Sequence, residues 1–468
     1  MSTDAEVDVV IVGAGPVGLF LAAELRLAGV GAVVLEREPE PVPHPKALGL
    51  HARTLEQLAM RGLAEPFLAG GVRVPAWHFG FLDQRLDLTG LDTPYPFMLA
   101  FPQNRTEAVL QERALALGAR IVRGDAVTDV VEDGDGVRVE TESGVTWRAG
   151  WVVGADGAGS TVRRAAGIDF PGTAADTYAY LGDLSADAPP RPGYGVQNER
   201  GALIVAPLPG GLLRFTGYDP EHQEPGRRDL TMAELSETTR RISGTDFGLR
   251  DPAWLTRFGN ATRVAAAYRR GRVLLAGDAA HMHFPAGGVG LNLGLQDAMN
   301  LGWKLAAVVQ ARADATLLDS YHDERHPWAV DVAEHTLAQT ALITATTPTG
   351  QALRRLLSDL IGALPDLSRT LARRLAGLDV RYDRPGTHPL TGTRVAATGD
   401  ALLSGRPALA GRPGPATIDQ ATRAGFEIDP LPVAATAALI RPDGYIWWAT
   451  DDETDPELPA LGVRFTPR

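Results

Sequence analysis

Val7 to Val12 is a short apolar run rich in β-branched residues, followed by a glycine turn and then by apolar positions at helical spacing from Pro16 to Ala28. Gly29 and Gly31 flank the end of that helix, and Ala32 to Leu35 reads as a second buried strand. The chain thus opens as a β-α-β unit, which predicts a parallel sheet. Thr106 to Leu117 carries the next helical pattern, stopped by Gly118. Ala119 to Val122, Ala126 to Val131, Val137 to Glu140 and Trp151 to Val153 read as strands, with Asp133-Gly134 and Asp135-Gly136 as turn signals. From about Tyr178 to Val264 the texture changes. Short strands (Tyr194 to Gln197, Ala202 to Pro207, Leu212 to Tyr218) lie between Pro and Gly clusters with one helix, Thr231 to Ser243, and predict a mixed sheet in a lobe of its own. Arg272 to Ala276 returns to a buried strand, Leu291 to Arg312 reads as a long helix, and helices continue through Leu375. Pro385 to Gly392 marks a boundary before a small unit with strand-like Ala438 to Ile440 and Tyr445 to Trp448. The predicted divisions are 1–177, with an excursion into the neighbouring lobe near 75–102, then 178–264, 265–384 and 385–468.

Two glycine-rich segments carry the chemistry. Gly13-Ala14-Gly15-Pro16-Val17-Gly18 leaves a strand and opens a helix, with Glu36 at the end of the next strand. Gly13 permits the tight turn, Gly15 lets backbone N–H groups approach a pyrophosphate, and Gly18 lets helix and strand pack closely. The helix start faces the phosphates with partial positive charge, and Glu36 can accept from a ribose hydroxyl. This fingerprint alone does not separate FAD from NAD. Farther on, Gly277-Asp278 ends a strand, Pro285 and Gly287-Gly288 follow, and Gly290-Leu291-Asn292 opens the long helix. Asp278 suits a polyol hydroxyl. The amides near Leu291 and Asn292 suit a group that becomes anionic, as the N1–C2 edge of a reduced flavin does and nicotinamide does not, so the pairing favours FAD. Asp156, in Gly154-Ala155-Asp156-Gly157, fits either a helix cap or a contact near phosphate or nicotinamide.

Composition narrows the picture. The 468 residues imply two or three packed units, and the formal charge of -12 argues against nucleic acid or an anionic membrane as a partner. There is no cysteine, which removes disulfides, thiolate metal sites and dithiol redox chemistry. Met1 to Asp8 has no basic region of a signal peptide and no apolar stretch reads as a membrane span, so a cytoplasmic enzyme is expected.

Gly13 to Gly18 with Glu36-Arg37, Gly154 to Gly157, and Gly277-Asp278-Ala279-Ala280-His281 together resemble the group A flavoprotein monooxygenases of the para-hydroxybenzoate hydroxylase fold. Further segments resemble the aromatic polyketide hydroxylases and rifampicin monooxygenase within that group: Lys46 to Glu56, Gly244 to Gly248, Leu295 to Leu305 and Tyr321 to Pro327. The resemblance implies an α/β fold: a Rossmann-like FAD-binding domain of glutathione-reductase type, an inserted β-sheet substrate domain, and a short thioredoxin-like C-terminal domain. It implies that Glu36 and Arg37 contact the adenosine part, Val127 lines the adenine, and Lys46 and Gln103 contact the flavin. Asp278, Pro285, Gly288, Gly290, Leu291 and Asn292 would hold the ribityl chain and isoalloxazine. Lys46 stands where the family usually carries Arg, replacing a planar fork by a point charge, and Val289 stands where it usually carries Gln. The short tail, without cysteine, is read as structural or as a contact between two copies, which would give a homodimer.

The resemblance also implies the reaction. NAD(P)H, bound transiently, reduces FAD, and O2 gives a C4a-hydroperoxide that transfers one oxygen atom to a bulky aromatic or polyketide-type small molecule. Phe79, Phe81, Phe97, Phe215 and Tyr218, with Trp77 and Phe101, are the candidate wall of the substrate pocket. His281 and His283 flank the flavin loop as packing or hydrogen-bonding residues, and no catalytic acid or base is assigned. Three other readings remain: a Baeyer–Villiger or epoxidising enzyme on the same fold, a non-catalytic flavin protein that sequesters a ligand, and a plain NAD(P) dehydrogenase.

Overall fold

The computed structural model describes residues 5–223, 229–382, 388–454, 458 and 463–464. The first strand, Ala5–Val12, lies at the centre of an eight-stranded sheet, between the parallel strands Thr146–Gly154 and Ala32–Glu36. Val273–Leu275 and Arg120–Arg123 extend the parallel array on either side. Strands buried on both faces need uninterrupted apolar side chains, and Val9, Val10 and Ile11 are wholly buried. The antiparallel hairpin Val127–Asp133 and Gly136–Thr141 branches off Thr146–Gly154, turning on the Asp-Gly pairs expected to do so.

The helices Pro16–Leu27 and Gly290–Val309 pack side by side under this sheet. Glycine makes their closeness possible. A Cβ on Gly294 would stand 2.6 Å from Val17 Cγ2, and one on Gly302 would stand 2.6 Å from Glu24 Cβ. Contacts that advance together along both chains mean that the helices run parallel, with their N-termini at the same edge.

The lobe is a five-stranded sheet in the order Gly195–Asn198, Gly201–Pro207, Leu213–Tyr218, Tyr178–Ala186, Leu249–Gly259. Every pairing is antiparallel, so the expected mixed sheet is corrected. Its two longest strands show no clean alternation in the sequence: Tyr178–Ala186 is buried on both faces over most of its length, and Leu249–Gly259 is interrupted by Pro252 and several charged residues. The helix Met232–Ser243 covers one face, started by Thr231, whose hydroxyl accepts from the Glu234 N–H, and ended by left-handed Gly244. The excursion near 75–102 forms small sheets from Gly49–Leu50, Val72–Val74 and Met98–Ala100 and from Ala76–Trp77 with Leu86–Asp87.

The tail is a four-stranded sheet ordered Glu427–Ile428, Ala408–Gly411, Ala437–Ile440, Ile446–Thr450, whose first two strands are parallel across the helix Pro415–Arg423. This β-α-β-β-β order is the thioredoxin-like arrangement. The expected boundary at 384/385 lies outside the described residues. Ala408, Ala410, Ala438 and Ile440 join the main hydrophobic core, so one face of this sheet is built into the body.

A buried ionic cluster seals that junction. Arg441 donates to Glu324 (2.7 and 2.8 Å) and Asp443, and Lys304 donates to Glu324 at 2.7 Å. Arg53 donates to Glu56 (2.9 Å) and to the Asp443 carbonyl (3.0 Å), while Arg394 reaches the other Glu56 oxygen at 2.7 Å. Burial depresses Lys304 to about 7, against the opposing pull of Glu324. No helix among the described residues is long and apolar enough to cross a membrane. Replacing Arg441 with Leu leaves buried Asp443 without its guanidinium and Glu324 with Lys304, and denaturant titration of R441L is expected to show a loss of about 3–5 kcal/mol.

Candidate active site

The two parallel helix starts define the site. Gly15 caps the first without any side-chain hydrogen bond, and its first turn carries no acid. A Cβ on Gly15 would meet nothing within 4 Å, so the positive end of this helix opens on free space. Gly13 and Gly18 are tight for the opposite reason. A Cβ on Gly13 (φ 107°) would stand 2.3 Å from the Ala155 carbonyl oxygen, and one on Gly18 would stand 2.0 Å from the Gly13 carbonyl oxygen. The Glu36 carboxylate accepts from Ala14 N–H (2.7 Å) and Glu38 N–H (2.9 Å), which fixes it beside the turn with lone pairs to spare. Arg37 is exposed and pairs with Glu38, and Val127 is half-buried at the start of the strand Val127–Asp133.

The second start is equally bare: Val289 makes no side-chain cap and the first turn of Gly290–Val309 carries no acid. By position, the N–H groups of Gly290, Leu291 and Asn292 lack intrahelical acceptors. Pro285 precedes the turn Ala286–Gly288, and a Cβ on Gly288 would meet only His51 Nε2, at 3.9 Å. Val17 wedges between Gly277 and Gly294, placing Asp278 between the two helix starts. Asp278 is exposed although Gly277 and Ala279 beside it are buried.

Several expected contacts turn out to be braces. Asn292 accepts from His51 N–H (2.8 Å) and donates to the carbonyls of Gly49 (3.1 Å) and Gly288 (2.9 Å). Its side chain therefore ties the helix start to the segment leading into the helix Ala52–Ala59, leaving only its backbone for a ligand. Asp156 caps the helix Thr161–Ala165, accepting from Thr161 N–H (2.7 Å) and Val162 N–H (3.1 Å). Gln103 accepts from Ala47 N–H at 3.1 Å and so holds the strap that presents Lys46, which is exposed.

That strap is also held from the lobe, which the sequence reading missed. Arg214 forms a buried pair with Asp183 (2.7 Å) and donates to the Pro45 carbonyl at 2.5 Å, while the His44 ring stacks on Trp254 at 5.3 Å. Arg214 and Asp183 face each other in register on adjacent strands.

Strand parity sorts the candidate wall residues. Phe215 and Tyr218 are three apart on one strand and must point to opposite faces. Phe215 is fully buried with Tyr180, Leu203 and Leu235 on the face under the helix Met232–Ser243, which corrects its assignment to the pocket. Tyr218 lies on the face toward the helix starts, in a cluster with Phe81, Phe258, Phe284 and Ala286. On the same face Ile204, Thr216 and Thr256 are only half-buried. Trp77 donates to the Gly287 carbonyl at 3.1 Å, an oxygen that His51 Nε2 also meets at 2.9 Å. Of the other candidates, Phe79 is buried in a cluster with Val289 and Leu342 and meets His335 (5.2 Å), Phe97 lies under the Arg73 guanidinium (5.2 Å), and Phe101 packs against Phe67 (4.9 Å). His281 is a buried brace, 2.6 Å from Asp297, which also accepts from Arg325 at 2.8 Å. Against the opposing effect of burial, the neighbouring His281 and Arg325 side chains hold Asp297 below the usual carboxylate range. His283 meets the Phe284 carbonyl at 2.9 Å, and burial lowers its imidazole.

Residues 6–336 match the FAD binding domain family. The chain belongs to that family. It is similar to a 12-dehydrotetracycline 5-monooxygenase/anhydrotetracycline 6-monooxygenase of Streptomyces rimosus, with 42% identity over 96% of each chain. A rifampicin monooxygenase of Streptomyces venezuelae is 41% identical, again over 96% of each. Among solved structures, the anhydrotetracycline hydroxylase OxyS of Streptomyces rimosus superposes with a TM-score of 0.87 at 40% identity, covering 96% of this chain and 97% of that one. The chain is accordingly a flavin-dependent monooxygenase of the aromatic hydroxylase group, with FAD as its cofactor.

The residues present fit FAD. Open space before Gly15 suits the pyrophosphate, the fixed Glu36 suits the adenosine ribose, exposed Asp278 suits a polyol, and the bare second helix start suits a flavin edge that gains charge. A Cβ at Gly15 touches no protein atom but intrudes where phosphate would lie. Gly15→Ala should therefore leave apoprotein stability within about 1 kcal/mol while weakening FAD binding more than tenfold, measured by thermal melting and flavin titration. Arg214→Met leaves Asp183 buried and unpaired. It should cost about 3–5 kcal/mol and expose the strap Glu40 to Lys46 to limited proteolysis.

Proposed function

We propose that this enzyme uses NAD(P)H and O2 to insert one oxygen atom into a bulky aromatic or polyketide-type molecule as a hydroxyl group. The observation that carries the reading is the convergence of two uncapped helix starts, with Asp278 between them, beneath the lobe face that bears Tyr218. Bound FAD supplies electron transfer from NAD(P)H and activation of O2. The protein's part is to bind, orient and exclude water. The amides at Gly290 to Asn292 stabilise negative charge as it develops at the flavin's pyrimidine edge. Tyr218, Phe81, Phe258 and Phe284 give an apolar wall that favours flat, hydrophobic substrates and keeps water from the reactive site.

Hydroxylation is favoured over a purely sequestering role by the relatives' monooxygenase names together with the intact cofactor site of this chain. The transient binding of NAD(P)H agrees with a fold whose one glycine fingerprint is taken by FAD. The decisive experiment incubates FAD-loaded protein with NADPH or NADH and a panel of aromatic polyketides. Ligand-stimulated oxidation of the nicotinamide and a product heavier by one oxygen atom are expected. Flavin-loaded protein that binds these ligands yet oxidises no nicotinamide would remove the proposal in favour of sequestration.

A further inference from the structure

We infer that His283 takes up a proton when the bound flavin is reduced, because its free ring nitrogen lines the open space at the start of the helix Gly290–Val309, where the flavin edge gains charge. The inference rests on the cofactor reading of that helix start. It deepens the reading by naming the side chain that supplies the compensating positive charge.

His283 is half-buried, on the loop between Asp278 and Gly290. Its Nδ1 meets the Phe284 carbonyl at 2.9 Å. A carbonyl only accepts, so Nδ1 carries the hydrogen and the neutral ring keeps a bare Nε2. That nitrogen makes no hydrogen bond among the described residues. A Cβ built on Gly290 would stand 3.4 Å from His283 Nε2 and Cε1, and would meet no other side chain within 4 Å beyond its chain neighbours. The Cβ direction of a helical residue leans toward the helix N-terminus. The imidazole therefore lies at the mouth of the uncapped helix start, beside space that the protein leaves unfilled.

The charges around His283 keep it neutral until that space gains an anion. Burial lowers its imidazole, His281 on the same loop lowers it further, and Asp278 pulls the other way. The facing elements add no free carboxylate. The first turn of Gly290–Val309 carries no acid, and Asp297 farther along it is held by His281 and Arg325. Arg263, on the strand Thr262–Val264 that pairs with Met282, donates to the Phe170 carbonyl. His51, across Gly288, is lowered by burial, and its Nε2 meets the Gly287 carbonyl at 2.9 Å. With its titration below the ordinary value of about 6.5, His283 is neutral at neutral pH while the flavin is oxidised. A hydride brings two electrons and one proton, so its transfer from the nicotinamide leaves one negative charge on the flavin. Opposite charges about 4 Å apart near a protein surface favour each other roughly a thousandfold. Reduction thus raises the His283 titration across neutral pH, and a proton from solvent binds Nε2.

The test is an anaerobic reductive titration of FAD-loaded protein against a reference redox dye between about pH 7 and 8. Two protons taken up per two electrons shift the wild-type equilibrium about a hundredfold per pH unit, or about 59 mV. His283→Asn, which keeps a polar side chain but cannot titrate, should take up one proton and shift about tenfold per pH unit, or about 30 mV. Should His283→Asn fail to hold FAD, His283→Gln carries the same comparison. A role confined to packing or to a neutral hydrogen bond leaves wild type and variants with the same proton count. Wild-type protein that takes up a single proton overturns the inference, as do variants that still take up two. Protein that binds no FAD overturns the cofactor reading together with the inference, whereas protein that binds FAD and takes up one proton removes only the role of His283.

Discussion

The structure depends on one close contact, that between the helices Pro16–Leu27 and Gly290–Val309. Gly294 and Gly302 remove the side chains that would hold the pair apart from Val17 and Glu24. The helices are parallel, so two positive ends sit at one edge of the sheet. Aligned dipoles of this kind repel, and the arrangement is relieved by an elongated anion that reaches both ends. FAD has this form, with a pyrophosphate at one point and, once reduced, a charged ring edge at another. The position of Asp278 between the helix starts follows from the same contact, because Val17 packs against Gly277 next to it.

The remainder of the site is a set of supports for these two helix starts. Asn292 binds one of them to the His51 segment, Asp297 holds the Gly277 loop through Gly277 N–H (3.2 Å) and His281, and the Glu36 carboxylate is fastened at the other. These hydrogen bonds hold the site's backbone in place before a ligand arrives. The tail contributes in the same sense. Arg53 lies two residues after His51 and is gripped by Glu56 and the Asp443 carbonyl, so the C-terminal sheet supports the segment that Asn292 holds. That connection gives a cysteine-free thioredoxin-like unit a structural purpose.

The two helix starts were legible in the sequence because glycine turns and helix starts are local. Gly13 to Gly18 and Gly288 to Asn292 declare their backbone geometry within a few residues, and the structure places them as read. The side chains were less legible because their partners are distant in the chain: Asn292 reaches His51, and Arg214 reaches Pro45. Phe215 was misplaced although its parity with Tyr218 was there to be counted; aromatic identity was given more weight than direction. Asp156 proved to be a helix cap, one of the two roles its position allowed. The ionic cluster around Glu324 had no sequence signal, since single Arg and Glu residues look like surface until the tail folds over them.

The Gly80–Phe81 turn, which carries the wall residue Phe81, is held by Gln339 and Arg354, on the helices Asp319–Ile343 and Pro348–Ala363, outside the glycine motifs. Changes in those helices can reshape what the wall accepts while the flavin stays seated. A lineage carrying such a scaffold can diversify its chemical targets and still conserve a single redox engine.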